Sequence, residues 1–145
     1  MPMINMIVPI ANKSNHRLPE YAHPGDAGMD LKANLDEPIS LKPMDCKVIP
    51  TGIYCSSPKG YYFNIKGRSG LFRQRIWIAE GVIDQYTGEW GITIMNLSPY
   101  PFIIRPGDRI AQAILTPYET VEWKEVKELE DTERGANGFG SSGIA

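Results

Sequence analysis

Two cysteines in 145 residues, Cys46 and Cys55, are too few for a disulfide framework, and with only two histidines in the chain no zinc site is spaced out either. The pair reads as reduced thiols in the core or at strand ends. Surplus charge of one sign is also absent, since 15 basic against 17 acidic residues leave a formal net charge of −2. Such a balance gives no broad positive surface for nucleic acid, so any bound phosphate has to be met by a few local groups. Long apolar runs are missing, and the first six residues lack the basic flank and apolar stretch of a signal peptide. The expectation is a soluble, cytoplasmic protein with neither a nucleic-acid nor a membrane partner. No window of a dozen residues carries an apolar stripe at 3.6-residue spacing, which argues against long helices.

What the chain does have is punctuation. Twelve prolines and fourteen glycines are spread along its length, and the segments between them are short and rich in β-branched and aromatic residues. This predicts an all-β domain. Expected strands are 4–8, 47–54, 61–66, 75–79, 90–96, 101–105, 109–115 and 119–126, with a short helical turn at most after Ser69. The last of these alternates, placing Val121, Trp123 and Glu125 on one face. So many strands in one domain of this size fold by default into a sandwich or jelly-roll-like β-barrel, which deals with exposed strand edges. The barrel is expected over residues 1–127. A charged connector then leads into a glycine-rich arm, the two together spanning residues 128–145.

Five segments carry chemistry. The last twelve residues hold four glycines, Arg134, Phe139, Ser141 and Ser142. Freed amides, hydroxyls and a guanidinium suit phosphate oxygens, and one ring suits a base or sugar; a plain tail is the alternative. Around Asp30, residues 24–31 read as a turn entering a strand. Gly67, Arg68, Ser69 and Gly70 follow a strand directly and have the makings of a phosphate nest, with a helix-capping serine as the other reading. In residues 81–89 the carboxylate of Asp84 follows Val82 and Ile83, which suits either a general base at the edge of an apolar pocket or a turn aspartate. Tyr86 offers a flat ring. Finally, a Pro-Gly turn at 106–107 launches a strand bearing Gln112, with Asp108 and Arg109 available as a turn-stabilising pair.

The order and content of these segments resemble the five motifs of the trimeric deoxyuridine triphosphatases. The resemblance runs from about Pro24 to Gly143 and includes the strand entry Ile49, Pro50, Thr51, Gly52 and Ile53. It implies a jelly-roll subunit in a threefold homotrimer that hydrolyses dUTP to dUMP and pyrophosphate, its active sites shared between subunits and its C-terminal arm crossing to a neighbour. Asp84 would be the general base for the water attacking the α-phosphorus, a role that typically contributes ~10²–10⁴ in rate. Arg68, Ser69 and Gly70 would hold the phosphate chain, with a further contact from Gln112. Asp30 would touch either the water shell of the metal or a neighbouring polar network. The resemblance also implies magnesium, seated chiefly on phosphates and water with no direct protein ligand. The backbone of Gly81, Val82, Ile83 and Asp84 would complement uracil, and Tyr86 would exclude a 2′-hydroxyl. Phe139 would stack on the base, worth ~1–3 kcal/mol, Gly140 beside it would also bind substrate, and Arg134, Ser141 and Ser142 would take the γ-phosphate.

Two departures from the family pattern stand out. Only Gln85 separates Asp84 from Tyr86, where the family usually has two residues, and one missing residue turns a side chain to the opposite face unless a bulge or tighter turn restores it. Asn137 stands where glycine is common, a substitution the left-handed conformation tolerates. Two other readings share this scaffold. A non-catalytic regulatory relative would bind nucleotide or a protein partner. A dCTP deaminase would need a glutamate three residues before Asn96, where this chain has Thr93.

Overall fold

Alternation decides the inner faces. In β8 (Glu89–Asn96) the side chains of Trp90, Ile92, Ile94 and Asn96 are buried and those between them are not. In β5 (Tyr61–Lys66) Phe63 and Ile65 point inward while Asn64 and Lys66 point out. A computed structural model describes residues 6–138. It contains ten strands and one helical turn: β1 (Ala11–Asn12), β2 (Met29–Lys32), β3 (Ile39–Leu41), β4 (Cys46–Tyr54), β5, α1 (Ser69–Arg73), β6 (Ile76–Ile78), β7 (Gly81–Ile83), β8, β9 (Phe102–Ile104) and β10 (Arg109–Pro117).

The strands form two four-stranded sheets, in the orders β1-β4-β8-β6 and β2-β10-β5-β7, with a two-stranded sheet β3-β9 beside them. Every pairing is antiparallel. Apolar side chains from all three sheets meet in one core, a jelly-roll-like arrangement. At its centre the rings of Phe63 and Trp90 sit 5.0 Å apart and tilted by 57°, joining the two larger sheets. Trp90 also satisfies its indole N–H by donating to the carbonyl of Cys55 at 3.0 Å.

Irregularities in the strands have packing reasons. A register shift between Arg109 and Ala111 lets the consecutive residues Ile110 and Ala111 both turn inward. In β4 the pairing with β8 shifts between Pro50 and Tyr54. There Gly52 adopts φ +69, and a β-carbon would press to within 2.9 Å of the Ser14 backbone, so glycine is required on both counts. Glu89 caps this distortion by accepting the Gly52 N–H at 2.8 Å.

Six of the eight expected strands are present within two residues at either end. Of the segment 4–8, residues 4 and 5 lie outside the described residues, and 6–8 form no strand. The segment 119–126 is a correction: nothing beyond Pro117 is strand or helix among the described residues, and every residue from 117 to 138 is exposed. Both cysteines are free. Cys55 is buried, which pushes its thiol pKa up, and its Sγ donates to the carbonyl of Pro9. Among the described residues, no helix is long and apolar enough to cross a membrane.

Candidate active site

The outer face of the β2-β10-β5-β7 sheet is polar where its three longest-paired strands meet. Gln112 lies opposite Asp30 on one side and Lys66 on the other, so the segments around Asp30, 67–70 and Gln112 singled out from the sequence converge there. Together with Ala22, Asp26 and Ala27, the residues Gly28, Asp30, Arg68, Ser69, Gly70 and Gln112 wall a polar pocket of about 400 Å³.

Charge and hydrogen bonds fix its shape. Asp30, with a side chain only 20% exposed, faces Arg68 Nε at 3.2 Å through one oxygen and Arg109 Nη1 at 3.7 Å through the other. Arg68 also donates from Nη1 to the carbonyl of Arg109 at 3.3 Å. Of the two expectations for Asp30, this geometry matches the polar network. It also reassigns Arg109: Asp108 stabilises its turn by accepting the N–H of Arg105 at 2.8 Å, and Arg109 reaches across to Asp30 instead. Ser69 does not cap α1, whose N-cap is Arg68 with no side-chain cap bond. Ser69 is among the residues that wall the pocket. Gln112 donates from Nε2 to the carbonyl of Gly67 at 3.0 Å, which ties the strand to the loop.

The segment 81–89 lies elsewhere. β7 carries Gly81, Val82 and Ile83 and pairs with β5 with Ile83 opposite Phe63, whereas the loop 67–70 begins beyond Lys66. Three strand residues separate those points, about 10 Å at ~3.3 Å per residue, and Asp84 continues in the opposite direction. None of Gly81, Val82, Ile83, Asp84 or Tyr86 lines the polar pocket. β7 is an edge strand, so one side of its backbone has no strand partner among the described residues. Asp84 is exposed, and its main-chain carbonyl accepts the N–H of Ser57 at 2.8 Å.

Within the hairpin Tyr86 packs back onto glycine. The Tyr86 hydroxyl donates to the carbonyl of Glu89 at 3.1 Å, and its ring lies so close over Gly88 that a β-carbon there would meet the ring edge at 2.7 Å. In the arm, Arg134 donates to the carbonyls of Asn137 and Gly138, curling into its own turn. Phe139, Gly140, Ser141 and Ser142 lie outside the described residues. The sequence had not singled out Gly28, Asp26 or Arg109 as parts of the pocket; a bare β-carbon position leaves no signal of its own, and the Arg109 partner is distant in sequence.

Among the described residues, no three His, Cys, Asp or Glu side chains converge as a metal site. Asp26 and Asp30 line the polar pocket with their carboxylates already engaged: Asp26 accepts the His23 N–H at 3.0 Å, and Asp30 faces Arg68 and Arg109.

Comparison with known proteins agrees in family and fold. The dUTPase family model matches residues 14–143. A deoxyuridine 5′-triphosphate nucleotidohydrolase of Finegoldia magna is 46% identical over 142 residues, covering 95% of this chain and 99% of that protein. The dUTPase of Staphylococcus bacteriophage 80α, solved with dUpNHpp, superposes with a TM-score of 0.84 at 30% identity over 97% of this chain and all of that one. A mutant dUTPase of S. aureus phage φ11, whose structure describes a coordinated structural Mg(II) ion, superposes with a TM-score of 0.78 at 28% identity, covering 87% of this chain and all of that one. With the model matched over 130 residues and these segments in order, the chain belongs to the dUTPase family, enzymes that hydrolyse dUTP to dUMP and pyrophosphate.

Proposed function

We propose that this protein hydrolyses dUTP in a site that a second copy of the chain completes, within a homotrimer. The observation that carries this reading is the separation along β5: the phosphate-type pocket and the Asp84 hairpin lie at opposite ends of one strand in one subunit. A hairpin from a neighbouring copy brings the two halves together around one substrate.

In that composite site Arg68, Ser69 and the amide of Gly70 hold the phosphate chain, with Asp30 keeping the Arg68 guanidinium in place. The free edge of β7 supplies backbone donors and acceptors for the pairing edge of uracil. Cytosine reverses two of those three roles and leaves buried groups unpaired. Tyr86, held down on Gly88, packs beneath the deoxyribose and leaves no room for a 2′-hydroxyl. Asp84 takes the proton of the water that attacks the α-phosphorus. Magnesium, bound with the triphosphate, neutralises phosphate charge. Residues 128–145 act as the arm, with Arg134, Ser141 and Ser142 on the γ-phosphate and Phe139 over the base.

Exposed apolar residues after the barrel support self-association. Val121, Trp123 and Leu129 are 68%, 86% and 88% exposed. Burying a side chain of this class stabilises by roughly 1.5–3 kcal/mol, which favours seating them on a neighbour.

The test is to incubate the protein and magnesium with dUTP, dCTP, dTTP and UTP separately. Pyrophosphate from dUTP alone is expected. Ammonia from dCTP, or no turnover of any nucleotide, contradicts the reading.

A further inference from the structure

We propose that Gly28 is a positioning residue for the phosphate-binding loop and acts through Gln112, an inference that rests on the reading of the polar pocket given above. Gly28 precedes β2 by one residue. Residues two apart on a strand share a face, as do residues directly opposite each other, so Gly28, Asp30, Gln112 and Lys66 all belong to the polar outer face. Leu31, Ala111 and Ala113 take the inner one.

A β-carbon built on Gly28 would collide with Oε1 of Gln112 and stand 3.2 Å from its Cδ. The backbone of Gly28 does not lie in the left-handed region, so the demand for glycine here is steric rather than conformational. The carbonyl end of the Gln112 amide thus rests against bare backbone. Its nitrogen end donates to the carbonyl of Gly67, the residue that leads into Arg68, Ser69 and Gly70. Gln112 is a strut between the segment around Asp30 and the loop 67–70, seated at one end by the missing side chain at position 28. Because the struck atom ends a flexible side chain, a methyl group there swings the amide aside without disturbing the backbone. The fold absorbs the change, and the loop loses its tie.

A double-mutant cycle tests this, with kcat, KM for dUTP and Tm measured on wild type, Gly28→Ala, Gln112→Ala and the double variant. Each single variant is expected to lose about tenfold in kcat, the size of losing one hydrogen bond, here the one that positions the phosphate-binding loop. The Tm of Gly28→Ala should stay within about 3 °C of wild type. The double variant should be no slower than Gln112→Ala alone, because no amide remains to be displaced. Gln112→Met, which has no N–H to donate, should match Gly28→Ala. Losses that multiply in the double variant overturn the proposal. So do wild-type kcat in Gly28→Ala and failure of that variant to fold. Affinity for inorganic pyrophosphate, measured by calorimetry on the same proteins, should show the same non-additive pattern. A wild type inactive toward dUTP therefore sinks the proposed reaction, while the strut stands or falls on the pyrophosphate series.

Discussion

Asn96 is fully buried and spends its whole side chain on the backbone around it. Nδ2 donates to the carbonyls of Leu41 at 2.9 Å and Tyr100 at 2.7 Å, and Oδ1 accepts from the N–H and hydroxyl of Ser98 at 2.9 and 2.7 Å. These bonds fasten the β3-β9 sheet and the loop 97–101 to β8. In Asn96→Ala the Leu41 carbonyl is left orphaned in the core, while the Ser98 and Tyr100 groups regain water. One buried orphan and three partly compensated bonds sum to about 3 kcal/mol. With about 2.1 cal/mol/K per residue over 145 residues, the unfolding entropy is near 0.3 kcal/mol/K, which makes the expected fall in Tm about 10 °C. Calorimetry at one fixed protomer concentration measures it, since association shifts Tm by mass action. Asn96→Asp should be less stable still at neutral pH, because the introduced carboxylate faces two carbonyls. Its folded-state pKa is then raised, so the protonated form is favoured and the deficit should shrink in acid and grow as pH rises. A fall of under about 3 °C in Asn96→Ala, or an Asn96→Asp as stable as wild type, refutes this account of the joint.

Deleting residues 134–145 should cut turnover sharply while circular dichroism and oligomer size stay unchanged; a truncated protein of normal rate would make the arm a plain tail. Gly88→Ala removes the seat of Tyr86 and should erode discrimination between dUTP and UTP at least tenfold, with dUTP over dCTP preserved, since the β7 edge is untouched. Unchanged selectivity in that variant means that Tyr86 does not face the sugar.

The central strands were readable because a two-residue period records a face buried within the chain itself, as in Phe63 and Ile65 or Ile92 and Ile94. β1 and β3, two and three residues long, are too short to show a period. The segment 119–126 has the period but no partner strand among the described residues: alternation predicts that a face is buried, not which chain buries it. The pocket was half legible. Arg68, Ser69, Gly70 and Gln112 stood out by residue type, but Gly28 matters through the side chain it lacks, and Arg109 through a partner some eighty residues away. That Asp84 lies apart from the phosphate loop followed only from the register of β5 and β7.

That separation is tested most directly by subunit complementation. Asp84→Asn leaves a sound loop with a dead hairpin, and Arg68→Ala a dead loop with a sound hairpin; each alone should be inactive toward dUTP. If loop and hairpin come from adjacent copies, random 1:1 mixing in a threefold ring gives a sound pair at about a quarter of the sites. The two inactive proteins, unfolded and refolded together, should therefore recover about a quarter of wild-type turnover. A mixture as inactive as its parents would place loop and hairpin of one site on one chain and contradict the account.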